Sequence, residues 1–330
     1  MNSPLDDSPE GPMPTPGITP EEAGRVWGRA PSPVHAERSS AETAGQSSSQ
    51  FSPVDNQISN HEPSELAFAA SPVPAQNDPA WNGLDIVRLI VLTIVALFIG
   101  VFAAMFIARW LVYPHAALGE IARVPLVVVA GQSLAYLLIL AYMYILVTRE
   151  RRRPDFLAAI HWNWPSYRVH ILKLPIPVVD LFLLAGFVLS VALQILAHFL
   201  PIPKELPIDN FFRTPAEAWV LGIVSVALAP LMEELFFRAF LYPVLARRLG
   251  LPIAVVLTAL AFAALHGAQL MFSWGPVLVI FLVGLVLTIV RAKTNSVAAS
   301  VLIHMAYNGT ITVAMFAATD GFRHLEKLNQ

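Results

Sequence analysis

The chain alternates between long apolar runs and short polar stretches, and the runs are long enough to cross a bilayer. A transmembrane helix needs about 20 mostly apolar residues in succession. The pattern therefore predicts an all-α, polytopic transmembrane helical bundle. It has about seven spans, at 89–107, 124–147, 175–200, 218–246, 251–272, 276–290 and 296–318.

One of these runs is short for a complete crossing. Residues 276–290 number 15, which leaves open a re-entrant segment in place of a span. None of the seven runs alternates apolar and polar residues with the period of two that a transmembrane strand requires.

The first 80 residues are of a different kind. They hold 13 of the 27 prolines and 11 acidic against 3 basic residues, so we expect a disordered, acidic, Pro/Ser-rich tail that cannot bury enough apolar surface to fold. The predicted organisation is this tail (1–80), N-terminal transmembrane helices (81–215), a core with the candidate chemistry (216–318) and a C-terminal tail (319–330).

Composition narrows the classes of function. Hydrophobic residues make up 56% of the chain and charged residues 13%, against about 25% charged in a typical soluble domain. We therefore expect a multi-pass integral membrane protein whose partners are the lipid bilayer and a substrate at the membrane. No exposed basic face for nucleic acid is expected. The absence of cysteine excludes disulfides, cysteine-ligated zinc and thiol nucleophiles.

The distribution of basic residues predicts the orientation. Positively charged loops stay in the cytoplasm, and eleven basic residues flank the spans on the N-terminal side against six on the other. The N-terminus is therefore predicted to be cytoplasmic and the C-terminus external. The eleven are Arg88, Arg149, Arg151, Arg152, Arg153, Arg168, Lys173, Arg247, Arg248, Arg291 and Lys293, and the six are Arg109, Arg123, Lys204, Arg213, Arg323 and Lys327.

Ionisable residues inside apolar runs mark the candidate site, because a charge in the bilayer centre costs roughly 2.5–3.5 kcal/mol or more and needs a partner. Glu233 and Glu234 adjoin one another, and Arg238 follows Glu234 by four residues. That spacing places Glu234 and Arg238 on one helix face as a pair. Glu233 points about 100° away and has no basic partner nearby in the sequence. Pro230 is expected to kink the span and to free carbonyl groups near Glu233.

Two further runs each carry a histidine. Phe262 and His266 share one helix face, as do His304 and Asn308. At a rise of 1.5 Å per helical residue, Glu233, His266 and His304 lie within about 10 Å of one another in depth in the bilayer. A single histidine in an apolar helix is more often a hydrogen-bonded core residue, but two histidines and an unpaired glutamate on three helices favour a shared site.

These motifs, in this order, resemble the CAAX prenyl protease and bacteriocin-processing family of intramembrane endopeptidases, abbreviated CPBP or ABI. The resemblance covers about residues 216–318 and rests on seven residues. These are Glu233, Glu234, Arg238, Phe262, His266, His304 and Asn308.

The resemblance implies hydrolysis of a peptide bond in a membrane-associated or lipidated peptide. Glu233 and His266 would activate a water, and His304 and Asn308 would bind the oxyanion. Glu234, Arg238 and Phe262 would support this set. No cofactor is certain. A divalent metal such as zinc could be held by Glu233, His266 and His304, while a metal-free glutamate mechanism fits the same residues.

Two other functions fit the same polar cluster. One is an ion- or proton-coupled transporter, since buried Glu, His and Arg also form relays. Against this, no internal repeat is evident and the polar groups cluster in one half of the chain. The other is a non-catalytic membrane scaffold or immunity protein, in which the cluster is a structural network.

Overall fold

The computed structural model describes residues 79–171, 174–203 and 206–329. The predicted disordered tail lies outside the described residues except for its last two positions, so disorder of the tail stays a prediction.

The described chain is almost entirely helical. The α-helices are α1 (Gly83–Leu111), α2 (Leu118–Ile121), α3 (Pro125–Ile145), α4 (Phe156–Ala159), α5 (Val178–His198), α6 (Pro215–Ile223), α7 (Ala229–Glu234), α8 (Tyr242–Leu249), α9 (Leu251–His266), α10 (Trp274–Thr294) and α11 (Val297–Ala318). Three π-helical segments, Leu146–Glu150, Val224–Leu228 and Leu235–Leu241, join or extend them. Short 3₁₀ turns cover Pro207–Phe211, Ala268–Leu270 and Leu325–Asn329.

The predicted all-α membrane bundle is confirmed. Six helical stretches are long and apolar enough to cross a membrane: Gly83–Leu111, Pro125–Glu150, Val178–His198, Pro215–Leu249, Trp274–Thr294 and Val297–Ala318. The remaining predicted run, 251–272, forms α9, an apolar helix of 16 residues. The run predicted to be short, 276–290, is extended at both ends into the 21-residue helix α10.

One small element departs from the helical pattern. Residues Arg168–Ile171 (β1) and Leu174–Pro177 (β2) form an antiparallel hairpin with Arg168 opposite Pro177. Pro177 lies directly before α5, so the hairpin leads the chain back into the bundle.

Glycines allow the closest helix contacts. A Cβ atom at Gly100 of α1 would overlap the carbonyl oxygen of Gly131 of α3, and one at Gly186 of α5 would overlap that of Ile303 of α11. Small residues let transmembrane backbones approach and gain van der Waals contact. The Gly186 contact matters for the site, because it sets the position of α11 one residue before His304.

The segment just before α1 binds to α8 and to the π-helical segment that precedes α8. Trp81 is fully buried, its ring stacks on Phe240 at 4.7 Å between centroids, and its indole N–H donates to the Phe240 carbonyl at 3.0 Å. Arg247 donates to the carbonyls of Pro79 (2.7 Å) and Trp81 (3.0 Å). Buried Asp85 accepts two hydrogen bonds from Arg151 after α3. The basic residues near these helix ends therefore lie at the same end of the bundle.

The outer faces of the helices are apolar. On α1, Phe98, Ile99, Phe102 and Phe106 each expose more than half of their surface. Such faces are stable only against hydrocarbon, as expected of an integral membrane protein.

Candidate active site

Glu233 and Glu234 lie at the end of a short α-helical stretch between two π-helical segments. In the first, Val224–Leu228, the Ala229 N–H donates to the Val224 carbonyl, five residues back. The second, Leu235–Leu241, begins directly after Glu234. Single-turn π segments inside α-helices are rare and occur frequently at functional sites.

Pro230 explains how the first π segment connects to α11. If the same spacing of five residues continued, the N–H of residue 230 would donate a hydrogen bond to the next carbonyl, that of Ser225. Proline has no N–H to donate. The Asn308 side-chain amide donates to this Ser225 carbonyl instead, at 2.7 Å. Pro230 is predicted to free a carbonyl within the span, and the Ser225 carbonyl, five residues before it, has Asn308 as a side-chain partner.

Glu234 and Arg238 form the ion pair that their spacing predicts. Both side chains are fully buried, and Arg238 Nη1 lies 2.8 Å from Glu234 Oε1. Arg238 Nη2 also donates to the Gly284 carbonyl of α10 at 2.9 Å. The guanidinium lies over the Phe262 ring, 4.6 Å from its centroid. A buried charge pair of this kind is stable only with further hydrogen bonds, which Gly284 supplies.

Both histidines lie at the Glu233 carboxylate. His266 Nε2 is 3.8 Å from Glu233 Oε1, and His304 Nε2 is 3.7 Å from Glu233 Oε2. His304 also contacts the other glutamate, with Nδ1 at 2.9 Å from Glu234 Oε1. The Phe262 ring packs against His266 at 4.8 Å and His304 at 5.8 Å between centroids. Three helical elements that are separate in sequence thus converge on one carboxylate.

The hydrogen bond at the far side of His266 determines its tautomer. Nδ1 lies 2.9 Å from the Phe262 carbonyl oxygen. A carbonyl only accepts, so Nδ1 carries the proton and Nε2 of the neutral ring is an acceptor. Nε2 is the atom that faces Glu233. Two acceptors 3.8 Å apart cannot form a hydrogen bond with each other. A water molecule about 2.8 Å from each of them can donate one of its hydrogens to Glu233 and the other to His266.

Access differs between the two glutamates. The side chains of Glu233 and His266 retain 16% and 19% of their exposure, whereas Glu234 retains none and His304 only 4%. A substrate can reach Glu233 but not Glu234.

The structure brings six of the seven predicted site residues into one contact network: Glu233, Glu234, Arg238, Phe262, His266 and His304. The seventh, Asn308, lies one turn beyond His304 on α11 and bonds to Ser225. The sequence did not indicate the partner carbonyls of Ser225 and Gly284, because a backbone acceptor has no residue type to mark it. It also did not indicate Tyr136 of α3, which packs against the buried cluster that includes Met232 and Leu235.

The donor types at Glu233, His266 and His304 suit zinc. Their arrangement does not: across the described ranges, no group of three or more His, Asp or Glu side chains is placed to hold a metal ion. We therefore derive no step through a metal.

The part of the chain that carries this site matches a known protein family. Residues 215–310 match the model of a family described as type II CAAX prenyl endopeptidase, Rce1-like. These residues form an Rce1-like domain. The match runs from the first residue of α6 into α11 and includes all seven predicted site residues. Helices α1 to α5 lie outside it.

The resemblance stated from the motifs is confirmed by this match, and an Rce1-like domain supports a membrane-embedded peptidase of the CAAX type. Searches of curated proteins and of solved structures gave no match.

Proposed function

We propose that this chain hydrolyses a peptide bond with a water held between Glu233 and His266. The observation that carries the proposal is the pair of acceptors 3.8 Å apart, Glu233 Oε1 and His266 Nε2, at the reachable edge of a buried polar network. Each can accept one hydrogen of the same water molecule. This arrangement turns the water oxygen's lone pairs away from both acceptors and toward a substrate carbonyl.

The proposed reaction uses Glu233 as general base and then as general acid. Glu233 takes a proton from the water as its oxygen attacks the carbonyl carbon of the substrate. The tetrahedral intermediate collapses by breaking the C–N bond, and Glu233 returns the proton to the leaving amine. The products at this stage are a carboxylic acid and an amine; the acid then gives its proton to the amine, so that a carboxylate and an ammonium group leave and both atoms and charge balance.

Donors for the oxyanion come from α11. Asn308 uses one N–H of its amide for Ser225 and keeps a second. When His304 Nε2 carries a proton, that N–H is another donor, and Nδ1 stays anchored on Glu234. Removing one preorganised oxyanion donor costs about 10²–10³-fold in kcat in a well-studied protease.

Glu234, Arg238 and Phe262 hold this geometry. Glu234 Oε1 accepts from both Arg238 and His304, so it fixes the ring whose other nitrogen faces Glu233. Phe262 contributes the carbonyl that sets the His266 tautomer and the ring that supports both imidazoles.

The family name points to the substrate, a peptide with a prenylated cysteine in a C-terminal CAAX sequence. An apolar cavity of about 630 Å³ between α3 and α7 supports this choice. Its lining includes Leu137 and Leu140 on one side and Leu231 and Leu235 on the other. Leu231 and Leu235 flank Glu233 in the chain, so a prenyl chain in this cavity would lie beside the helix that carries the base.

The test is cleavage of a synthetic prenylated CAAX peptide by purified protein in proteoliposomes, followed by mass spectrometry. Wild type should release the C-terminal fragment, and Glu233→Gln should lose at least about 100-fold in rate because it removes the general base. Glu150→Gln, which neutralises a half-exposed carboxylate at the end of the second span, should cleave as wild type does. Equal cleavage by wild type and Glu233→Gln would refute the proposal.

A further inference from the structure

A polar pair on α3 lies outside the Rce1-like domain. The Gln132 side-chain amide donates to the hydroxyl oxygen of Tyr136 at 2.6 Å, one helical turn apart. Both side chains are half-buried. A phenol oxygen that accepts from an amide retains its own O–H to donate. Polar side chains within a transmembrane helix face the protein and are usually functional.

Packing places Tyr136 beside the span that carries Glu233. Leu137 and Leu140 of α3 line the same cavity as Leu231 and Leu235, and Tyr136 packs against the buried cluster that includes Met232 and Leu235. Helix α3 is also in contact with α6, the first part of the span that carries Glu233. Tyr136 therefore lies against the part of the span that carries Glu233, whose chain neighbour Met232 belongs to the same buried cluster.

Glu233 needs such a donor. Within the described part of the chain, its carboxylate makes no hydrogen bond, since the two histidine nitrogens that face it are 3.7 and 3.8 Å away. A glutamate side chain with several rotatable bonds keeps its orientation only when a neighbour holds it. His266 holds one side of the proposed water, but nothing from α9 or α11 fixes the carboxylate itself.

We propose that Tyr136, with its oxygen held by Gln132, is a positioning residue that orients the Glu233 carboxylate through a hydrogen bond, made directly or through one water. The inference rests on the proposed peptidase function. It assigns part of the active site to α3, a helix that the family match does not reach.

The experiment compares Tyr136→Phe, Tyr142→Phe and wild type in the prenylated CAAX peptide assay, with kcat and KM measured separately. Tyr136→Phe should lower kcat about 10- to 100-fold, the value of a hydrogen bond to a charged group, and leave KM unchanged, because the phenol does not bind the substrate. Tyr142→Phe removes a hydroxyl two turns further along the same helix and should behave as wild type.

A second variant separates positioning from folding. Gln132→Met keeps the side-chain volume but removes the donor that holds Tyr136, and it should lower kcat by a smaller factor, also with KM unchanged. An unchanged kcat in either variant, a fall in Tyr142→Phe equal to that in Tyr136→Phe, or a change confined to KM would overturn the inference. If wild type itself does not cleave the peptide, the proposed function fails rather than this assignment.

Discussion

Two adjacent glutamates have opposite environments at the residue scale. Glu234 is fully buried and accepts hydrogen bonds from Arg238 and His304, whereas Glu233 is partly exposed and faces two histidine nitrogens without a hydrogen bond. A rotation of about 100° around the helix axis separates the two side chains. One carboxylate is therefore structural, and we propose that the other is the base.

The first prediction concerns the buried ion pair. Arg238→Met should lower the free energy of unfolding by about 3–5 kcal/mol, because it leaves the Glu234 carboxylate buried without its guanidinium. Thermal or denaturant unfolding in detergent measures the change. Arg248→Met, at the exposed end of α8, is the matched control and should change stability by less than about 0.5 kcal/mol. Similar losses in both variants would contradict the structural role assigned to Arg238.

Sequence spacing predicted the pair and the shared faces because each rests on helical periodicity alone. The i,i+4 relation between Glu234 and Arg238 depends on one helix and needs no tertiary information. The contact of His304 with both glutamates could not be predicted, because it depends on how α11 packs against α7. The Asn308 bond to Ser225 depends in addition on a local π register.

At the element scale, the span Pro215–Leu249 is not a regular helix. Its two π-helical segments bracket the glutamates, and Pro230 has no N–H to offer the Ser225 carbonyl, which accepts from Asn308. The sequence predicted the freed carbonyl from Pro230 but not the five-residue register.

The end of α9 was also placed too late: the predicted run reached residue 272, whereas the helix stops at His266. Phe272 folds back onto Gly267 beyond that point, and its N–H donates to the Gly267 carbonyl at 2.7 Å.

The second prediction tests the role of this register. Pro230→Ala supplies an N–H that competes with Asn308 for the Ser225 carbonyl. We expect cleavage to fall about tenfold, from the loss of one positioning hydrogen bond, while the thermal midpoint stays the same or rises because an internal proline is removed.

Pro252→Ala is the control for the second prediction. Pro252 lies in the first turn of α9, where no intrahelical donor is required, so its replacement should leave the cleavage rate unchanged. A Pro230→Ala protein that cleaves as fast as wild type would argue against a catalytic role for the Asn308 position.

At the scale of the whole molecule, Arg151 and Arg247, two basic residues of the predicted cytoplasmic side, lie at one end of the bundle. Arg151 meets Asp85 near the start of α1, and Arg247 binds the segment just before it. The composition and hydropathy of the chain sufficed to predict this membrane architecture, because each span is a local property of the sequence. The side on which this end lies remains a prediction from the charge distribution.

The third prediction exploits the absence of cysteine in the chain. Single substitutions at exposed positions at opposite ends, Arg153→Cys and Gly119→Cys, introduce unique labelling sites without crowding, since a Cβ at Gly119 would meet no other atom. A membrane-impermeant maleimide should label Gly119→Cys in intact cells and Arg153→Cys only in inverted vesicles. The reverse pattern would show that the N-terminus is external.

Our central proposal is that Glu233 and His266 activate water without a metal. Its most direct test is cleavage of the prenylated CAAX peptide in water enriched in the heavy oxygen isotope, with and without a strong chelator. We expect one labelled oxygen in the newly formed carboxylate and the same cleavage rate with and without the chelator, and we expect no cleavage and no labelled product from Glu233→Gln. Loss of cleavage on chelation, with recovery when zinc is added back, would contradict it.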